Sequence, residues 1–147
     1  MSLMGKIDTD LASSMKEGDA QRTGVLRLLK NALKNEQIKA GKELSNDEAL
    51  KVVQREGKQR KDSIAQFTQG GRSDLVESEE RELAIIENYL PQQMEEAELA
   101  QLVDAVITEI NATDMAQMGA VIGAVMQRAA GRADGAAVSQ LVRQKLS

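Results

Sequence analysis

The sequence predicts an all-α fold. Apolar residues recur three or four positions apart through most of the chain, which is the spacing of one face of a helix. The 147 residues include one proline, and no stretch alternates apolar and polar residues with the β-branched enrichment of a strand. Because proline in a helix interior costs about 3 kcal/mol, its near absence favours long helices. We predict seven helices, four followed by three.

The first two helices are predicted from their ends and from their apolar stripes. A helix over Leu3–Glu17 should end at Gly18, which suits the left-handed conformation of a helix cap. Asp19 is a typical N-cap and should open a second helix that runs to about Ala40. The predicted apolar face of the second helix consists of Val25, Leu26, Leu29, Leu33 and, as a further candidate, Ile38.

The third and fourth helices complete the first half of the chain. Ser45 followed by Glu48 at the third helical position is a capping box, and the helix that it opens should end at the Gly70-Gly71 pair. Ser73 is predicted to cap the fourth helix. Helices two and three should be roughly 30–35 Å long at 1.5 Å per residue, with one apolar stripe each. This pattern favours an elongated antiparallel layout of αα-hairpins.

Pro91 marks a change in the character of the chain. It lacks an N–H group and disfavours α geometry at Leu90, so it should stop the fourth helix. Charged residues are dense before Pro91, whereas Ala, Met and Gly are frequent after it. We therefore predict an N-terminal helical domain over residues 1–91 and a small three-helix domain over residues 92–147.

The second half carries a small-residue pattern on its middle helix. Gly119 and Gly123 stand four apart, and we expect them to form a small-residue groove against another helix. Four methionines at core spacing are predicted to be packing residues: Met94, Met115, Met118 and Met126.

The composition excludes several classes of chemistry. The chain has no Cys and no His, which removes thiol nucleophiles, disulfides, the usual zinc ligand sets and triads that use imidazole. We predict no cofactor and no metal site. The absence of Cys agrees with a reducing compartment, no signal peptide is visible, and the longest apolar or small stretch is far shorter than the ~20 residues that span a bilayer. The sequence-based expectation is a cytoplasmic protein with no membrane partner.

Basic residues cluster although the net charge is −4. One run on the second helix contains no acid between its members: Arg22, Arg27, Lys30 and Lys34. On the third helix Lys51, Arg55 and Lys58 share a face, with Lys61 one turn further on. Such a surface can follow a phosphate backbone, or it can be an ordinary solvated face whose charges are balanced by neighbouring acids.

A glycine-flanked loop precedes the last helix. Gly131, Arg132, Asp134 and Gly135 lie where backbone N–H groups of a helix N-terminus can receive an anion. Alternatively, Asp134 is simply the N-cap and Gly135 a spacer. The surrounding basic residues are further candidate phosphate contacts: Arg128, Arg132, Arg143 and Lys145.

Four blocks of sequence resemble the GatB/YqeY family, small bacterial proteins named for their similarity to the tail of the B subunit of glutamyl/aspartyl-tRNA amidotransferase. The blocks are VLRLLKNALKNEQI at 25–38, ELSNDEALKVVQREGKQRKDSI at 43–64, ELAIIENYLPQQM at 82–94 and MGAVIGAVMQRAAGRADGAAVSQLVRQKL at 118–146. The similarity extends over almost the full length. Glu95 stands where the family often has a Ser or Thr cap, which should weaken that helix start by ~1 kcal/mol.

The resemblance implies a role in tRNA metabolism. The amidotransferase tail is understood to help recognise tRNA, while amide transfer takes place in domains that this chain lacks. We therefore expect a non-catalytic tRNA-binding accessory protein, with the eight candidate cations named above on the third helix and in the C-terminal region as phosphate contacts. The alternative is a protein-interaction adaptor of a tRNA synthetase or amidotransferase. Free-standing members of the family are often labelled as carbon–nitrogen ligases that use glutamine as the amido-N-donor. This activity is a third, weaker alternative, because the sequence contains no P-loop, Cys nucleophile or His that would support it.

Overall fold

The all-α prediction is confirmed by the structure, a computed structural model that describes residues 2–147. Within that range there is no β-strand. The helices are α1 (Leu3–Glu17), α2 (Ala20–Ala40), α3 (Asn46–Gln69), α4 (Ser73–Glu87), α5 (Glu96–Ile110), a 3₁₀ turn (Met115–Gln117), α6 (Met118–Ala129) and α7 (Gly135–Leu146). One compact unit ends at Leu90 and a second begins at Pro91.

The N-terminal unit is built from two helical hairpins. α1 contacts α2 and α3 contacts α4, while α2 also contacts both α3 and α4. α2 contributes the largest share of the core because four of its apolar side chains are buried: Val25, Leu26, Leu29 and Leu33. The further candidate Ile38 is not part of this core, since 79% of it is exposed. The apolar stripe of α2 thus ends one turn earlier than the sequence pattern indicated.

Most helix ends follow the capping residues. Gly18 ends α1 in the left-handed conformation at φ 73°, and the Ser45 and Glu48 side chains exchange reciprocal bonds with each other's backbone N–H. Ser73 was predicted as the cap of α4, but it is the first helical residue, and Arg72 occupies the cap position without a side-chain hydrogen bond that caps the helix. The backbone carbonyl of Arg72 still accepts the first intrahelical bond, so the serine hydroxyl lies one residue too late to cap.

The end of α4 precedes Pro91 by several residues. The regular helix ends at Glu87. Two later amides close tighter turns, Tyr89 N–H to the Ile86 carbonyl at 3.0 Å and Leu90 N–H to the Glu87 carbonyl at 3.1 Å. Since a residue before proline is disfavoured in the α region, the chain leaves helical geometry before it reaches Leu90.

Tyr89 ties the end of the N-terminal unit to α1. Its ring is 8% exposed, its hydroxyl donates to Asp10 Oδ2 at 2.5 Å, and Lys6 Nζ lies 5.6 Å from the ring centroid. Burial, helped by the Asp10 carboxylate, raises the pKa of the Tyr89 phenol well above its ordinary value of 10.0. The folded unit therefore holds the neutral phenol.

This raised pKa predicts a loss of stability in alkali. The folded-state pKa lies above the unfolded one, so the contribution is complete below pH ~10 and is lost as the pH rises through the folded value. We expect urea unfolding midpoints to fall more steeply at high pH in the wild type than in Tyr89→Phe, which shares all other titrating groups. Because Tyr89 is the only tyrosine and there is no tryptophan, tyrosinate absorbance reports this group alone. Its titration at an ordinary pKa in the folded chain would contradict the prediction.

The C-terminal unit packs α5, α6 and α7 around a valine-rich core. Fully buried members are Val103, Val106, Val121, Val125, Val138 and Val142. Two predictions about this unit were wrong. Met115 is 41% exposed rather than packed. Gly119 and Gly123 are exposed, and a Cβ placed on either residue would have no atom of another helix within 4 Å. The valines are larger and fill the space between the helices, so the glycine face of α6 is left outside.

None of the helices between Ser2 and Ser147 combines the length and hydropathy needed to cross a membrane.

Candidate nucleic-acid interface

The basic face of α3 lies opposite the side of the helix that packs. Ala49, Val52 and Val53 are buried against the rest of the unit. Positions 51, 55 and 58 fall on another face because they are offset from that stripe at 100° per residue. Lys51, Arg55, Lys58 and Lys61 are accordingly all exposed.

Three of the five cations on α3 have side chains without a protein partner in the described part of the chain, whereas Arg60 is paired with Glu79 and Glu82 of α4. Among residues 2–147, the side chains of Lys51, Lys58 and Lys61 make no hydrogen bond or ion pair, whereas Arg55 Nη2 lies 3.7 Å from Glu36 Oε2 on α2. The Arg55 side chain is still 53% exposed, and an ion pair this open to water contributes little. The three lysines therefore present their charge to solvent along about three turns of helix.

The C-terminal cations are placed differently, because three of the four are engaged by carboxylates. Lys145 Nζ lies 2.7 Å from Asp104 Oδ1, and Arg128 makes a two-pronged contact with Glu109 from α5. Arg143 is exposed and has no partner among the described residues.

The pair of Arg128 and Glu109 holds both groups in their charged forms. Hydrogen bonding from Arg128 lowers the pKa of the Glu109 carboxyl below its usual value and raises the pKa of the Arg128 guanidinium. A phosphate that approaches Arg128 must therefore compete with a carboxylate already in place.

Arg132 serves the local fold of the predicted anion-binding loop. Its Nε donates to the Gln92 carbonyl at 2.8 Å, and its Nη2 lies 3.2 Å from Glu98 Oε1. The Met94 amide donates to the Arg132 carbonyl at 2.8 Å. The guanidinium thus fastens the segment that enters α5 to the loop before α7, through its Nε and Nη2 donors.

Asp134 takes the cap position of α7 without capping it. Its backbone is extended, and its carbonyl accepts from the Val138 amide at 3.0 Å, but its side chain makes no cap hydrogen bond. Gly131 has a φ of 84° and follows Ala130, which is also left-handed at φ 50°. The predicted Gly131, Arg132, Asp134 and Gly135 lie together at this helix start, and the alternative in which Asp134 caps the helix with its side chain is not observed.

The partners of the paired cations were the feature that sequence inspection missed. Glu36, Glu98, Asp104 and Glu109 each lie on a different helix or segment from the base that they meet. Local charge runs show where cations are dense, but they do not show which acids the fold brings beside them.

Comparison with known proteins identifies the family. The chain matches the family described as "Yqey-like protein" over residues 4–146. It belongs to this family. The match covers both compact units of the YqeY-like chain.

Curated relatives of the YqeY-like chain carry one name, "Altered inheritance of mitochondria protein 41, mitochondrial". The protein from Lachancea thermotolerans is 38% identical over 110 residues, which cover 73% of this chain and 59% of the relative. The protein from Clavispora lusitaniae is 31% identical, covering 77% of this chain and 67% of the relative. The protein from Pyrenophora tritici-repentis is 26% identical over 97% of this chain and 80% of its own. The chain thus spans about three fifths of the Lachancea protein.

These names overturn the predicted cytoplasmic location, because the relatives are all named as mitochondrial proteins. The prediction failed because its basis, the absence of cysteine and of a secretory signal, does not distinguish the cytosol from the interior of an organelle.

Proposed function

We propose that this YqeY-like chain binds structured RNA, with tRNA as the first candidate, through phosphate contacts from α3. The observation that carries the proposal is the row of Lys51, Lys58 and Lys61, exposed on the solvent side of one helix and without protein partners among the described residues. Exposed lysines in register can each displace a counterion from a phosphate, which is the main source of affinity in sequence-independent binding.

The side chains favour structured RNA over a single strand. Single-strand binders stack bases on exposed aromatic rings, whereas the two aromatic residues of this chain, Phe67 and Tyr89, are half-buried and buried. Recognition by shape and backbone needs no such rings.

The C-terminal cations are assigned a smaller part. Arg128, Arg132 and Lys145 would have to exchange a carboxylate for a phosphate, so the net gain from each is reduced. Arg143 has no such cost, and it is the best candidate for a phosphate contact from the C-terminal unit.

The proposal is tested by measuring total tRNA binding by fluorescence anisotropy across a salt series. Lys51→Gln/Lys58→Gln is expected to weaken binding roughly fivefold to tenfold for each lysine replaced, near 0.1 M salt. The slope of log K against log salt should become shallower by about 1 for each of the two lysines. Both residues are exposed, so the variant should keep its helical content.

The matched control is Lys16→Gln/Arg81→Gln. These two residues are also exposed and without protein partners among residues 2–147, and their removal changes the net charge by the same amount. Equal weakening in both double variants would show that only bulk charge matters. Such a result, or an absence of binding at low salt, would refute the proposed surface.

A further inference from the structure

The outer face of α2 is unusual in the signs of its charges. The chain carries 23 acidic and 19 basic residues, yet no acidic residue is among the exposed positions of this helix. Those positions are Ala20, Gly24, Arg27, Leu28, Asn31, Lys34, Asn35, Ile38, Lys39 and Ala40. Solvated helix faces usually mix both signs, so this face, which we call the α2 outer face, has the charge pattern of a surface that meets anions.

Two large aliphatic side chains lie on the same face. Ile38 is 79% exposed and Leu28 is 37% exposed. They are about 15 Å apart along the helix at 1.5 Å per residue. Ile38 also lines a shallow surface groove with Lys34, Gln37, Lys42 and Glu43. The face therefore offers two apolar contact points separated by positive charge.

The cations of the α2 outer face make no ion pair with the described residues, although Glu43 lines the groove beside Lys34. Lys34 and Lys39 make no ion pair with residues 2–147, and Arg27 reaches only the Met15 sulfur at 4.0 Å. Lys30, beside this face, does pair, with its Nζ 2.9 Å from Asp8 Oδ1 on α1. The fold thus compensates the cation that faces α1 and leaves the outward ones uncompensated.

We propose that the α2 outer face binds an acidic amphipathic helix of a partner protein. Three turns of such a helix span Leu28 to Ile38, and its carboxylates would meet Arg27, Lys34 and Lys39 while its apolar side chains cover the two aliphatic ones. Exposed aliphatic side chains make no favourable contact with phosphate groups. Their presence distinguishes this face from the lysine row of α3.

The probe is a fluorescein-labelled helical peptide of about three turns with Leu at its i, i+3, i+7 and i+10 positions and Glu elsewhere on the flanks. We expect it to bind the full chain, and Ile38→Ser/Lys34→Gln to weaken binding at least tenfold. The control variant Met115→Ser/Arg81→Gln removes an exposed apolar residue and an exposed cation without a partner among the described residues, neither of which belongs to the α2 outer face. It should bind as the wild type does. A control peptide with Ser in place of Leu should bind poorly to all three chains.

The outcomes separate this surface from the others. Binding that is equal in the two double variants, or no binding of the peptide at all, would overturn the proposal. So would a decrease of tRNA affinity in Ile38→Ser/Lys34→Gln that matches the decrease in the α3 lysine variant, because the face would then belong to the RNA surface. The chain could instead co-sediment with anionic vesicles, or self-associate, in a manner that depends on Ile38. The face would then bind lipid or a second copy of the chain, and either result would also overturn the proposal.

Discussion

Replacing Leu29 with alanine is expected to lower the free energy of unfolding of the N-terminal unit by about 2–5 kcal/mol. Leu29 is 0% exposed and lies in the core with Leu26 and Leu33 from its own helix and Ile86 from α4. The change removes the transfer energy of the deleted methyl groups and leaves a cavity that the surrounding helices fill only in part. A domain is typically stable by only about 5–15 kcal/mol, so this loss is a large fraction of the total.

The neighbouring leucine supplies the control. Leu28 is also a leucine of α2, but it is 37% exposed. Leu28→Ala should therefore lower the free energy of unfolding by less than about 1 kcal/mol. Urea unfolding followed by Tyr89 fluorescence measures the right unit, since this buried tyrosine is the only one in the chain. Equal destabilisation in the two variants would show that α2 is rotated about its axis and does not turn Leu29 into the core.

The helices could be predicted because their signals are local. Each signal lies within one or two turns of the chain: the apolar spacing, an N-cap such as Asp19, or a left-handed glycine such as Gly18. The helix bounds in the structure follow these signals closely. The failures occurred where the deciding contact is distant. Ile38 continued the apolar stripe in sequence, but no other element of the unit covers it.

The candidate site was harder to predict for the same reason. Lys58 and Arg128 look alike as basic residues in a cluster, yet one is free among the described residues and the other is held by Glu109. The difference arises from which helices pack together, and charge patterns along one helix do not contain that information. The glycine face of α6 was predicted wrongly for a related reason. Small residues permit close packing of helices but do not require it, and the pattern along α6 does not show which side of the helix the other helices contact.

In the C-terminal unit, Val103→Asp is expected to abolish the folded state. Val103 is 0% exposed among the valines of α5, α6 and α7, and a carboxylate placed there loses its hydration without gaining a partner, which costs several kcal/mol. A unit this small has little stability in reserve. Gln101→Asp adds the same charge to the same helix at an exposed position, and its helix-propensity cost is below ~1 kcal/mol. Amide hydrogen exchange of α5, α6 and α7 should therefore lose its protection in Val103→Asp and keep it in Gln101→Asp. Retained protection in Val103→Asp would mean that the valine does not lie in the core of this unit.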